Sequence, residues 1–167
     1  MIILASNSPR RKQLLAFGGW SFQVFPVDID EGVLAAELPD AYVLRLSRGK
    51  ASAARELLRT NMTHAGDLIV SADTTVVLPL SDDDREAARL LPEFQSIGEL
   101  GASQYIILGK PMSAEHAGRI LAILRNQVHQ VYTGVTIMRI SDDVCYSTVC
   151  ITDVPMRDYT DDEILNY

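Results

Sequence analysis

The chain has 167 residues, of which 47% are hydrophobic and 22% charged. That composition excludes a disordered polymer and supplies enough apolar material for the core of a single domain spanning residues 1–167. Lys and Arg number 15 against 22 Asp and Glu, a net charge of −7. This disfavours non-specific binding to nucleic acid or to an anionic membrane, and leaves room for a local basic pocket that takes a small anion.

No apolar run approaches the ~18 residues of a membrane span. Met1-Ile2-Ile3-Leu4-Ala5 is too short for a signal sequence, and its basic residues follow the apolar run instead of preceding it. The reading is a cytoplasmic protein. Cys145 and Cys150 fall on opposite faces of one strand-like stretch, so no disulfide is expected between them. Three scattered histidines and no Cys-x-x-Cys leave no zinc site.

In chain order, Met1–Ser6 reads as a buried strand. Ser8-Pro9 then opens a helix, with Ser as N-cap, Pro at the first helical position and Leu14, Leu15 and Phe17 as its apolar face. Gly18-Gly19 ends it. Phe22–Val27 is a second strand, placed at an edge by Pro26. Pro39-Asp40 opens a long helix to about Leu58. Asp67–Leu78 is a strand whose nearly continuous apolar run predicts cover on both faces.

Residues 79–104 read as irregular and acidic, with a short helix at Asp84–Leu91. Tyr105–Leu108 is a short strand, and Ser113 caps a helix through Ala117, Ile120, Leu121 and Leu124. Asn126 suits a left-handed C-cap. Val131–Ile140 and Val144–Met156 read as antiparallel strands joined at Ser141-Asp142-Asp143. Strands alternating with helices indicate an α/β fold.

Four features are anomalous. Arg10-Arg11-Lys12 places three cations in a first helical turn, where the macrodipole is already positive. A bound phosphate would compensate them, since a helix start after a strand presents free N–H groups; a solvated basic turn is the alternative. Lys50 falls on the apolar stripe Val43, Leu46, Ala53, Ala54 and Leu57, so it must either snorkel or meet an anion. Asp73 sits mid-strand, where a carboxylate is costly unless paired, hydrogen-bonded or metal-bound. Asp28-Ile29-Asp30-Glu31 follows the edge strand and offers oxygen ligands to a divalent cation, or is a solvated acidic loop. Asp82-Asp83-Asp84 looks like a metal cluster, but acids before a helix are ordinary dipole complements. No P-loop, Gly-x-Gly-x-x-Gly or Ser-His-Asp pattern is present. Cations for phosphate and carboxylates for a metal point to a metal-dependent enzyme acting on a phosphate compound.

With these residues in view, the chain resembles the Maf family of nucleoside triphosphate pyrophosphatases. The matching pieces are Ser6-Asn7-Ser8-Pro9-Arg10-Arg11, Asp30-Glu31, Arg45-Leu46 with Lys50-Ala51, Ala72-Asp73-Thr74 with Val76, Gly109-Lys110-Pro111, and His129 with Val131 and Thr133-Gly134-Val135. They occur in the family's order along nearly the whole chain.

The resemblance implies a mixed twisted sheet with flanking helices, similar to the inosine triphosphate pyrophosphatases. It implies cleavage of a nucleoside triphosphate between its α- and β-phosphates. It also implies Asp73, Lys50 and Lys110 as catalytic residues with Asp73 the general base, Ser6, Ser8, Arg10, Arg11 and Thr74 as the substrate-binding set, and Glu31 with Asp73 at a divalent metal, Mg²⁺ or Mn²⁺. Arg10 and Thr74 match the branch acting on dTTP and UTP; the branch acting on 7-methyl-GTP tends to carry Trp and Gln there.

Two departures stand out. The connection between Asp73 and Lys110 is much longer than the family's, so 79–104 reads as an insertion: a lid, a mobile flap, or a contact in a homodimer. The family also continues with a Glu-Pro-x-Asp-Lys-Ala-Gly segment and a base-selecting glutamine, and this sequence stops at Tyr167 before it. The expectation is a C-terminally incomplete form. Two rival readings are a haloacid dehalogenase-type phosphatase, from Asp28-Ile29-Asp30, and a non-catalytic nucleotide-binding regulator. Pro26 argues against the first, because its Asp-x-Asp should end a central parallel strand.

Overall fold

The computed structural model describes residues 1–59, 67–80, 96–100, 103–142 and 144–166. The helix expected at Asp84–Leu91 and the run Asp82-Asp83-Asp84 lie outside the described residues. The elements in order are β1 (Ile2–Leu4), α1 (Pro9–Phe17), β2 (Phe22–Val24), α2 (Pro39–Leu58), β3 (Leu68–Leu80), β4 (Ser96–Leu100), β5 (Ser103–Leu108), α3 (Ala114–Leu124), β6 (Val128–Arg139), β7 (Cys145–Pro155) and α4 (Asp161–Leu165). The sheet is mixed: β1 runs parallel to β2 and β3, while β5 runs antiparallel to β3 and β4. The α/β fold is therefore as expected. Among the described residues no helix is long and apolar enough to cross a membrane.

The chain divides into two compact units, and β3, β6 and β7 each continue from one into the other. The first comprises Met1–Glu31, Asp40–Thr74 and Thr133–Cys150. Here β1 lies between β2 and β3, in register Ile2↔Phe22 and Ile2↔Leu68, and β6 pairs with β3 and β7. Ile3, Ala5, Ile69, Met138 and Ile140 from the strands pack with Ala51, Ala54 and Leu58 of α2. β2 is an edge strand but ends at Val24, before Pro26, which cannot donate to a ladder.

Three expectations change in this unit. α1 is capped by the Ser8 side chain, which accepts from the Arg11 N–H, and starts on Pro9. Yet it buries no residue: Leu14 and Phe17 are exposed. Its sequence carries a start signal without a sustained apolar period. On α2 the buried row is Leu46, Lys50, Ala54 and Leu58, one residue every four, and Leu57 faces solvent. On β3 the alternating residues Ile69, Ser71, Asp73, Thr75 and Val77 are buried, while Val70, Ala72 and Val76 opposite are only half-buried. The strand thus has one closed face, and its other face is half-covered or exposed until Leu78 and Leu80, which are buried.

The second unit comprises Gly32–Pro39, Thr75–Tyr132 and Ile151–Tyr167. β5 pairs with the end of β3 (Val76↔Leu108) and with β4 (Ser96↔Ile107). Part of the stretch read as irregular is therefore strand. Leu78, Leu80, Ile106, Leu108 and Leu124 form the core. Ser113 caps α3, Asn126 takes φ 57, and Thr160 with Glu163 forms a reciprocal capping box on α4. The Tyr159 hydroxyl donates to the Leu121 carbonyl, tying the chain before α4 to α3.

Candidate functional site

Asp73 lies on the closed face of β3, and Lys50 on the buried row of α2. They meet: Lys50 Nζ donates to Asp73 Oδ1 at 2.6 Å and lies 2.6 Å from Glu31 Oε1. Lys50 therefore does not snorkel; one buried ammonium bridges two carboxylates. Lys50 and Asp73 are each nearly buried, whereas the Glu31 side chain is 42% exposed. The Tyr42 hydroxyl, from α2, donates to the Glu31 backbone carbonyl at 2.9 Å and anchors the loop that delivers Glu31. The cluster brings one ammonium and two carboxylates together.

The turn after β1 contributes the opposite charge. Arg11 Nη1 donates to Ser6 Oγ at 3.3 Å, and its Nη2 to Thr74 Oγ1 at 3.4 Å. Thr74 Oγ1 in turn lies 3.1 Å from Thr133 Oγ1 of β6. Lys12 donates to Asn7 Oδ1, Arg10 is exposed, and Ser8 serves as the cap. Among the described residues, Arg10, Arg11 and Lys12 make no ion pair with a carboxylate. Arg11 reaches Thr74, the residue next to Asp73, and so links the basic turn to the acidic cluster.

Ser6, Ser8, Arg11, Glu31, Lys50, Asp73 and Thr74 thus belong to the first unit together. Lys110 belongs to the second and is exposed after β5. Asp28 and Asp30 lie in irregular chain beyond the edge strand, and do not end a central strand. Cys145 and Cys150 are exposed and form no disulfide with each other.

Sequence reasoning matched Thr133 within Thr133-Gly134-Val135 but gave it no role, and it overlooked a set of buried hydroxyls behind Lys50 and Asp73. Their signal was present: Ser47 lies one turn before Lys50, and Ser71 and Thr136 occupy strand positions of core parity.

Among the described residues no three Asp, Glu, His or Cys side chains cluster as a ready metal site. The donor set still fits Mg²⁺ or Mn²⁺. Glu31 Oε1 and Asp73 Oδ1 converge on the Lys50 ammonium, so an ion would use the remaining carboxylate oxygens, with substrate phosphate and water completing the shell.

An α/β fold with a basic helix start, coupled to a buried lysine–dicarboxylate cluster, defines the class. The chain belongs to the Maf family: residues 1–167 match the family described as Maf-like protein. It is 36% identical over 167 residues to the dTTP/UTP pyrophosphatase of Pseudoalteromonas atlantica, covering all of this chain and 72% of that one. It is 35% identical to that of Vibrio parahaemolyticus, over 99% of this chain and 71% of that one. Against that of Anaeromyxobacter dehalogenans it is 38% identical, over 83% of this chain and 53% of the relative. A solved structure with some likeness is the Ham1 protein of Staphylococcus aureus, at TM-score 0.49 and 12% identity, covering 92% of this chain and 70% of that one.

Proposed function

We propose that this chain hydrolyses a nucleoside triphosphate between the α- and β-phosphates, with dTTP and UTP as substrates, releasing the nucleoside monophosphate and pyrophosphate. The observation that carries this reading is Lys50 held at 2.6 Å from both Asp73 and Glu31, in a chain whose relatives are named dTTP/UTP pyrophosphatases.

In this reading the helix start, with Ser8, Arg10 and Arg11, receives the triphosphate through N–H groups and guanidinium donors. Ser6 and Thr74 orient Arg11. Asp73 takes the proton of the attacking water, and the Lys50 ammonium holds that carboxylate in place and offsets charge on the phosphates. Lys110 contributes a further cation toward the phosphates. Glu31 and Asp73 would hold Mg²⁺ or Mn²⁺, which when bound neutralises phosphate charge and polarises the bond that breaks. Exposed cysteines with no disulfide between them suit a reducing cytoplasm.

The test is a pyrophosphate-release assay over a panel of nucleoside triphosphates, with and without Mg²⁺ or Mn²⁺, on wild type and Asp73→Asn. Metal-dependent pyrophosphate release from dTTP and UTP is expected, with kcat reduced about 10²–10⁴-fold by the substitution. Release of orthophosphate instead would favour phosphatase chemistry. Tight nucleotide binding without turnover would make the chain a regulator.

A further inference from the structure

Behind the Lys50–Asp73 pair runs a chain of hydroxyls whose proton directions are fixed by its two ends. Arg48 Nε, which can only donate, lies 3.0 Å from Ser147 Oγ on β7. Ser147 Oγ lies 3.0 Å from Thr136 Oγ1 on β6, which lies 2.9 Å from Ser47 Oγ. Ser47 donates to the Leu44 carbonyl, which can only accept, at 3.0 Å. Because Ser47 spends its proton on Leu44, it must accept from Thr136. Thr136 must then accept from Ser147, and Ser147 from Arg48. The relay leaves α2 at Arg48, crosses two strands and returns to α2 at Ser47. A second tie meets the same residue: Ser71 of β3 donates to the Ser47 backbone carbonyl at 2.6 Å. Ser47, Ser71 and Thr136 have no exposed surface.

Three fully buried hydroxyls are a poor choice for packing alone, since apolar residues of similar shape would fill the space without needing partners. What they supply is register. Ser47 precedes Lys50 by one turn of a rigid helix, and Ser71 precedes Asp73 on the same face of a rigid strand. The ring Ser71–Ser47–Lys50–Asp73 is closed by one hydrogen bond at each end. Sliding α2 by one residue, about 1.5 Å, would break both.

We propose that Ser47, Ser71 and Thr136 are positioning residues that hold the Lys50 ammonium in register with Asp73. The catalytic consequence rests on the nucleotide hydrolysis proposed above; the geometric consequence does not.

The experiment compares wild type, Thr136→Val, Thr136→Ser, Ser71→Ala, and the core variant Ile140→Val as a control for general loss of stability. Two readouts are taken: steady-state pyrophosphate release, and the NMR signal of the Lys50 ε-ammonium in the ligand-free protein, which slow exchange in a buried ion pair makes visible. Thr136→Val should lower kcat at least tenfold with KM little changed, and broaden the Lys50 signal beyond detection. Thr136→Ser, which keeps the hydroxyl, should restore both. Ile140→Val should leave both intact. If Thr136→Val does not fold, Ser71→Ala, which removes one donor and leaves the helix bonded, should give the same two losses. Wild-type kcat and Lys50 signal in a folded Thr136→Val or Ser71→Ala protein would overturn the proposal. If wild type releases no pyrophosphate from any nucleotide, the functional reading fails, while the Lys50 signal still decides the positioning role.

Discussion

Gly134 of β6 lies so close to Val43 of α2 that a Cβ built on it would stand 2.4 Å from the Val43 carbonyl oxygen and 2.6 Å from its carbonyl carbon. The obstacle is helix backbone, which cannot rotate away as a side chain can. A glycine at this position lets α2 settle directly on the strand, at the height from which Lys50 meets Asp73.

Gly134→Ala should therefore destabilise the protein. In an ordinary strand interior the change would be favourable, because glycine is the more flexible residue in the unfolded chain. Here overpacking against backbone should dominate and cost about 1–3 kcal/mol or more. Urea unfolding measures the sign. Increased stability would show that α2 can lift away freely.

Lys50→Met tests the charge balance. Methionine fills the same channel but removes the ammonium that bridges Asp73 and Glu31. Removing one partner of a buried pair costs about 3–5 kcal/mol, and the half-exposed Glu31 places this case toward the lower end. Mg²⁺ or Mn²⁺ should raise the Tm of the variant more than that of wild type, because the ion takes the position of the lost ammonium. An equal shift in both proteins would argue against a cation between these carboxylates.

Arg11→Ala tests the basic turn. Arg11 is a cation at a helix N-terminus, and among the described residues its guanidinium bonds only to hydroxyls, at 3.3 and 3.4 Å. Without ligand the variant should be as stable as wild type, or more stable by about 0.3–1 kcal/mol. Its affinity for a non-hydrolysable nucleotide, measured by calorimetry, should fall about 10- to 100-fold, the worth of a charge-assisted hydrogen bond. Loss of stability with unchanged affinity would make the arginine structural.

Two of the shifted groups, Glu163 and His129, act on the acid side. Hydrogen bonding from Arg157 and from the Thr160 N–H lowers the Glu163 carboxyl from its ordinary 4.5 to about 2. A lowered folded-state value stabilises the folded form above pH 4.5, and that contribution is lost as pH falls through about 2. Carboxyl ¹³C titration should show the low midpoint, and Arg157→Ala should return it toward 4.5. His129 is shifted downward by burial, and its Nδ1 has no hydrogen-bond partner among the described residues. The unfolded chain therefore takes up the proton first, so stability should decline as pH falls below the ordinary histidine value of 6.5. His129→Leu should flatten Tm against pH in that interval.

The caps were legible in the sequence because they are local. Ser8, Ser113 and the Thr160–Glu163 box each act on N–H groups within four residues, and each does so in the structure, while Asn126 takes the left-handed conformation but sends its own N–H to the distant Arg157 carbonyl. The span of α2 was legible for a similar reason: its start signal and its 3.6-residue period lie in one continuous stretch. β4 was not legible. Ser-Ile-Gly-Glu-Leu has little strand preference of its own, and its partner β5 supplies the ladder.

By itself the sequence determined the element order, the helix starts, and the misfit of Lys50, Asp73 and the Arg10-Arg11-Lys12 turn with their surroundings. A charge on a buried stripe or strand is costly whatever lies opposite. Only the tertiary structure decided how each misfit is resolved. Lys50 reaches Asp73 and Glu31, and Arg11 reaches Thr74, across long sequence separations. Period and propensity are properties of a single element. An ion pair between elements depends on their register, which here is fixed by the Ser47, Ser71 and Thr136 hydroxyls and the bare Cα of Gly134.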